Sequence, residues 1–322
     1  MIITNKLNMP EAYVKAIQNS RHNADKCLSA TTLLKGTKEI ILTDRHFDEI
    51  EVDVYLEDIP ECFKDMLPIT KEIKNTVDEI KAYDLFIALD CGDMSRLGFS
   101  SVLFEQAKAT FCVDHHISNQ GCGDVNYIVP SASSACELVF DLISYDRITK
   151  EIAECLYTGM VHDTGVFQYS STAPETMEAA ADLMRRNIRA NEMIDKTFYE
   201  KTYAQNKILG KALEESYLLS EGKIIVSCIT KEMMNDYGVI PKDLEGIVSQ
   251  LRVTKGVEVA IFLYQTGEEE YKVSLRASGD VDVSKVAEAF DGGGHKKAAG
   301  VSIKGNAKEI IAQITEHIQA QL

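Results

Sequence analysis

The stretch "YDLFIALDCGDMSRLG", residues 83–98, runs through an apolar segment and stops on Asp90, Cys91, Gly92 and Asp93. A second apolar run, "TFCVDHH", stops on Asp114, His115 and His116. In open α/β sheets ligands bind beyond the carboxyl ends of the strands, so both endings point to one edge. A single aspartate there is an ordinary turn residue, and a single histidine is more often structural than a ligand. Two imidazoles behind a carboxylate, one strand away from another carboxylate, make a donor set for a divalent cation. Carboxylate with imidazole suits manganese or a related ion better than an all-thiolate zinc site would. "YTGMVHDTGVFQYS" adds Asp163, followed by Thr164 and Gly165 where a helix gives way to a loop. A helix stop accounts for Gly165 but not for the acid before it.

Far downstream, "FDGGGHKKAAG" reads as an anion-binding loop. Gly292, Gly293 and Gly294 leave backbone N–H groups uncovered, His295, Lys296 and Lys297 add positive charge, and Ala298, Ala299 and Gly300 permit close approach. Backbone dipoles in such a loop can cradle a phosphate or carboxylate. "KVSLRAS" supplies Arg276, whose planar guanidinium suits a bidentate phosphate contact.

The elements that carry these residues alternate. "YDLFIALD" and "TFCVDHH" read as strands, "SSVLFEQAKA" as a helix between them, and "SASSACELVFDLI" as a helix capped by serine. Helices through "TKEIAECLYTGMVHD" and "APETMEAAADLMRRN" follow, the pattern of a parallel sheet covered on both faces. Residues 191–219 are charged and helix-favouring, and read as a helical linker. Beyond them come the strand "KIIVSCIT", the helical "KDLEGIVSQLRVTKG", and the paired strands "VEVAIFLYQTG" and "EEYKVSLRAS", a second and smaller α/β domain. The first fifty or so residues offer a plausible helix but no clear strand, tight loop and helix.

With 322 residues, 45% of them hydrophobic, the chain can bury two ordinary cores. A net charge of −16 argues against broad electrostatic binding to duplex nucleic acid, though not against a small anion at a cation-bearing pocket. The longest apolar runs are strand-sized, so no membrane span is expected. Eight scattered cysteines without a CxxC pair read as reduced thiols of a cytoplasmic protein.

In order and spacing, "ALDCGD", "VDHH", "TGMVHDTGVFQYS", "VSLR" and "GGGHKKAAG" resemble the DHH phosphoesterase family with its DHH-associated C-terminal domain. The subgroup is that of bacterial nanoRNase and PAP phosphatase proteins, relatives of RecJ, and the match runs from about residue 54 to the end. The resemblance implies an α/β fold with a parallel-sheet DHH domain over 54–190, a linker over 191–219 and a substrate-binding domain over 220–322, with the substrate cleft between the domains. It implies a two-manganese centre in which Asp90 bridges the ions, His115 and Asp163 bind one of them, and His116 lies by the scissile phosphate. It assigns Arg276, His295 and the glycines 292–294 to substrate, either short oligonucleotides or 3'-phosphoadenosine 5'-phosphate, and leaves a homodimer open.

One departure stands out. The family opens with a strand and a His-x-x-x-Asp-x-Asp motif, and residues 1–53 contain no such string. The nearest, "RHNADKCLS", has His22 and Asp25 at the wrong separation, with Cys27 and Leu28 where a glycine-serine start is expected. Residues 1–53 instead resemble the leading segment of phage PD-(D/E)XK nucleases, without that class's catalytic motif. The chain is therefore expected to hold one ion or two, and to be either a manganese phosphoesterase or a nucleotide-binding protein with an impaired centre.

Overall fold

The computed structural model describes residues 2–5, 51–56, 59–66 and 73–322. His22, Asp25, Cys27 and Leu28 fall outside them. The chain divides into two compact units, Met1–Glu200 and Lys201–Leu322.

The strands of the first unit are β1 (Ile2–Asn5), β2 (Glu51–Tyr55), β3 (Ile73–Lys74), β4 (Leu85–Leu89), β5 (Thr110–Asp114) and β6 (Val125–Ile128), in the spatial order β3-β2-β1-β4-β5-β6. β4, β5 and β6 run parallel, as do β2 and β3, whereas β1 is antiparallel to both of its neighbours. The start of the chain thus does contain a strand, built on the β-branched run "IIT". The helices are α1 (Glu61–Met66), α2 (Ser101–Gln106), α3 (Ala135–Leu142), α4 (Lys150–Asp163), α5 (Pro174–Met184) and α6 (Ala190–Ile194).

β4 is apolar without alternation because both faces of the sheet are covered. Leu85 and Ile87 join Phe111, Val113 and Leu138 on one side, while Phe86 and Ala88 join Tyr83, Leu103 and Phe104 on the other. Phe86 is wholly buried, worth roughly 1.5–3 kcal/mol on apolar transfer. The polar residues can then appear only where the strand runs out of the core, and that is where Asp90 stands.

The stretch 191–219 is not one helix. α6 leads into a π-helical turn through Tyr199, and α7 (Tyr203–Glu214) begins afresh. Thr202 caps it: its side chain accepts from Gln205 N at 3.1 Å, and Gln205 Oε1 accepts from Thr202 N at 2.8 Å. That reciprocal box marks a helix start that a helix-favouring composition conceals.

The second unit holds β7 (Tyr217–Leu219), β8 (Ile224–Ile229), β9 (Val259–Gly267), β10 (Glu270–Ala277), β11 (Gly293–His295) and β12 (Ala298–Lys304), in the order β11-β12-β10-β9-β8-β7. All its pairings are antiparallel except β8 with β9. Ile224, Val226, Ile261 and Leu263 pack with Ile310 and Ile314 of α11 (Ala307–Gln319), named after α8 (Lys231–Tyr237), α9 (Ile247–Arg252) and α10 (Val283–Glu288). Ile225, Ile229, Ala260 and Phe262 face α7, α8 and α9 on the opposite side. No described helix is long and apolar enough to cross a membrane, and the seven described cysteines are free thiols.

Candidate metal centre

Asp90 follows the last residue of β4 and its amide still donates to Val113 O at 3.0 Å. Its φ of 58° is in the left-handed region, which an aspartate tolerates at a cost. The turn swings the carboxylate off the strand axis toward β5. Gly92 lies against the His116 ring, where an added Cβ would sit 3.2 Å from Cγ. Asp93 is not part of the cluster: it caps the 3-10 helix Met94–Ser100, accepting from Ser95 N at 2.8 Å.

β5 runs parallel to β4 and delivers Asp114, His115 and His116 to the same edge. His115 Nδ1 lies 3.3 Å from Ala132 O, which can only accept, so Nδ1 carries a proton; Nε2 donates to Asp90 when it is protonated and would present its lone pair to a bound cation. That Nε2 lies 3.4 Å from Asp90 Oδ1 and 3.8 Å from Asp163 Oδ2. His116 Nδ1 is 3.6 Å from Asp90 Oδ1. Among the described residues, Asp90, His115 and His116 form the group whose donor atoms all lie within 4.8 Å of one another. The set of carboxylate oxygens and an imidazole lone pair fits a hard divalent cation.

Asp163 ends α4. Behind it Thr164 Oγ1 donates to Met160 O at 2.6 Å and accepts from Phe167 N at 2.9 Å. Gly165, Val166 and Phe167 all take left-handed φ, 56°, 58° and 61°. A β-branched valine there is strained; Val166 and Phe167 are held by packing against the helical core. A side chain at Gly165 would be strained by the left-handed φ and would displace the exposed Tyr169 ring.

The electrostatics follow from this crowding. The His115 hydrogen bond holds the Asp90 carboxyl below its ordinary range, against burial and with help from His115, His116 and Arg96 charge. Burial, and then the Asp90 charge, push Asp163 up to about 6. Burial opposes protonation of His115, yet its bond to Asp90 and the Asp163 field outweigh that and raise its pKa. Displaced values of this kind cluster at functional sites, and structural ion-pair networks produce them as well.

Asp114 is wholly buried and serves as the support. Its Oδ1 accepts from His115 N at 2.7 Å, His116 N at 3.2 Å and His116 Nδ1 at 2.7 Å. Its Oδ2 accepts from Asn119 Nδ2 at 2.6 Å. The same amide donates to Cys91 O at 2.9 Å, tying the end of β4 to the end of β5. Sequence reading does not single out Asn119, since an asparagine in "ISNQG" reads as a turn former.

In the second unit, Lys272, Ser274 and Arg276 alternate along β10 and line a pocket of about 370 Å³ with Lys242, Phe262 and Tyr264. Register carries this face across the sheet: Arg276 pairs with Ala298, and Ala298 with His295. Arg276 and His295 therefore share a face, separated by one alanine. The glycines behave differently from an open loop. Gly293 and Gly294 lie in β11, and Gly292 N donates to Ala287 O at 2.9 Å. A Cβ at Gly292 or Gly294 would collide with β12, so these glycines let an edge strand lie close to its neighbour. Lys297 is occupied as well, its ammonium bonded to Gly279 O. The only sequence signal for Lys272 and Ser274 is the alternation in "KVSLR", and Tyr264, in "VEVAIFLYQTG", has none.

A mixed sheet whose parallel strands β4 and β5 end in this Asp–His–His edge, followed in the chain by a separate β-rich unit, defines a class. The chain belongs to the DHH family: residues 16–160 match its N-terminal domain and residues 221–320 match the DHHA1 domain. The match thus reaches further forward than residue 54. The bifunctional oligoribonuclease and PAP phosphatase NrnA of Thermus thermophilus is 28% identical over 82% of this chain and 79% of its own length. Its namesake from Bacillus subtilis is 24% identical over 71% and 74%. Among solved structures, an exopolyphosphatase-related protein from Bacteroides fragilis superposes with a TM-score of 0.78 at 26% identity, covering 83% of this chain and 82% of that one.

Proposed function

We propose that the chain is a manganese-dependent phosphoesterase that hydrolyses short oligoribonucleotides, 3'-phosphoadenosine 5'-phosphate, or both. The observation that carries this reading is the convergence of Asp90, His115 and His116, with Asp163 beside His115, at the carboxyl edge of a parallel sheet. Asp90, His115 Nε2 and Asp163 are the residues that would hold the metal. When bound, a divalent cation there neutralises phosphate charge and acidifies an attacking water.

The remaining work belongs to the chain's own side chains. Asp114 accepts His116 Nδ1–H and so fixes the ring, leaving Nε2 for a phosphate oxygen or for the proton taken by the leaving oxygen. Arg276 and His295 are the residues assigned to substrate phosphate in the second unit, with Lys272 and Ser274 lining the same face. The absence of a His-x-x-x-Asp-x-Asp string favours a second reading, a nucleotide-binding protein whose centre holds one ion and turns over slowly.

The test measures hydrolysis of two- to five-nucleotide RNA and of 3'-phosphoadenosine 5'-phosphate against added manganese, with ions per chain counted in parallel. Activity should require manganese and vanish in Asp90→Ala together with the bound metal. Full activity in Asp90→Ala refutes the metal assignment. One ion per chain, nucleotide binding and turnover no faster than the Asp90→Ala background select the impaired reading.

A further inference from the structure

The loop that presents Asp90 also builds a pocket. Beside the carboxylate lies a hollow of about 450 Å³ walled by Tyr55, Leu56, Arg96, Leu97 and Phe99. We propose that it is a nucleobase subsite, taking by stacking the base of the nucleotide whose phosphate lies at the Asp90 centre. The inference rests on the reading of that centre as a phosphate site.

The walls have the chemistry of a stacking platform. The Tyr55 and Phe99 rings stand 6.4 Å apart at 59°, and buried Leu97 supplies the floor. Phe99 and Leu56 leave 36% and 43% of their surface in water, an apolar rim beside a charged centre. Arg96 is exposed, and its charge reaches Asp90. A guanidinium in that position can lie over a base face or meet the phosphate next to it.

Size and rigidity point the same way. The volume lies in the range of small-ligand sites and holds a base with part of its ribose. Tyr55 is pinned from behind. Its hydroxyl lies 3.0 Å from Tyr83 Oη, and Tyr83 donates to Asp53 Oδ2 at 2.5 Å. Lys74 closes the chain on Asp53 at 2.6 Å. On the other side the backbone turns sharply at Gly98 (φ 52°, ψ −131°), between buried Leu97 and outward Phe99. The wall is therefore set before a ligand arrives, which lowers the cost of ordering it.

The lining offers little to read a base edge. Ser100 spends its hydroxyl on Leu97 O at 2.6 Å and Tyr55 turns its hydroxyl to Tyr83, which leaves Arg96 and the Asp90 carboxylate, both on the phosphate side, as the charged side chains of the lining. Recognition by faces rather than edges tolerates every base. The subsite thus explains how a phosphoesterase could hold nucleotides without sequence preference.

The experiment uses the manganese-loaded full chain and calorimetric titration with adenosine 5'-monophosphate and with ribose 5-phosphate, which lacks only the base. The nucleotide should bind about 5- to 150-fold more tightly, the span measured for one stacked base. Phe99→Ala should abolish that advantage while leaving the ribose 5-phosphate affinity within about twofold, and Phe99→Trp should keep it. An advantage that survives both Phe99→Ala and Arg96→Ala overturns the subsite. If ribose 5-phosphate binding does not depend on manganese, the phosphate reading of the Asp90 centre fails, and the subsite falls with it.

Discussion

Replacing Asn119 with alanine should loosen the first unit around its candidate metal centre. The buried amide makes a 2.6 Å bond to the Asp114 carboxylate and a 2.9 Å bond to Cys91 O. A hydrogen bond to a charged group contributes about 1.5–3 kcal/mol and a neutral one about 0.5–1.5 kcal/mol, and the two are not strictly additive. The loss is therefore about 2–4 kcal/mol, or roughly 30- to 1000-fold in a local opening constant. Amide hydrogen exchange reads it directly where exchange tracks the opening equilibrium. Peptides covering 85–89 and 110–116 should exchange faster by that factor. Peptides covering 259–277, which sit in a separate core, should not change. Manganese affinity should fall about 10- to 100-fold, as expected when a group that orients metal-site residues is lost. Acceleration below about threefold at 110–116 would refute the claim that Asn119 bears on Asp114.

Arg276→Ala and His295→Ala should each raise KM about 10- to 100-fold, the value of a charge-assisted bond, while the manganese content stays unchanged; loss of metal in either variant contradicts the assignment to substrate. For the metal-free protein, Asp163→Asn should stabilise at pH 7.5, with the gain shrinking toward pH 4. The folded carboxyl at about 6 binds its proton more tightly than an unfolded one near 3.8, so the native protein gains stability from this group as pH falls through 6 toward 4; denaturation of the chelated variants across that window reads the sign. Gly159→Ala should destabilise by about 1–3 kcal/mol, because its Cβ would run into Cys136 Sγ. In a Cys136→Ala background, which removes Sγ but keeps the Cβ 3.1 Å away, the same change should cost less, and equal midpoint shifts in both backgrounds would sink the clash.

What the sequence determined by itself is local. The unbroken apolar run into Asp90, the run into Asp114, His115 and His116, and the serine-capped helix after them are legible because strand and helix patterns repeat over a few residues. Gly165 as a helix stop is legible for the same reason. The tertiary structure decided what depends on register and burial between distant segments. That Asp114 supports His116, with Asn119 reaching back to Cys91, follows from β4 and β5 lying side by side, a relation no local period encodes. The glycines of "GGGH" have the composition of a flexible loop, and only the close pairing of β11 on β12 makes them an edge strand. Arg276 and His295 are far apart in the chain and meet on one face through the β10–β12–β11 register, because opposed residues on neighbouring antiparallel strands project to the same side. Side-chain chemistry is written residue by residue, whereas its convergence is set by which strands pair and in what register.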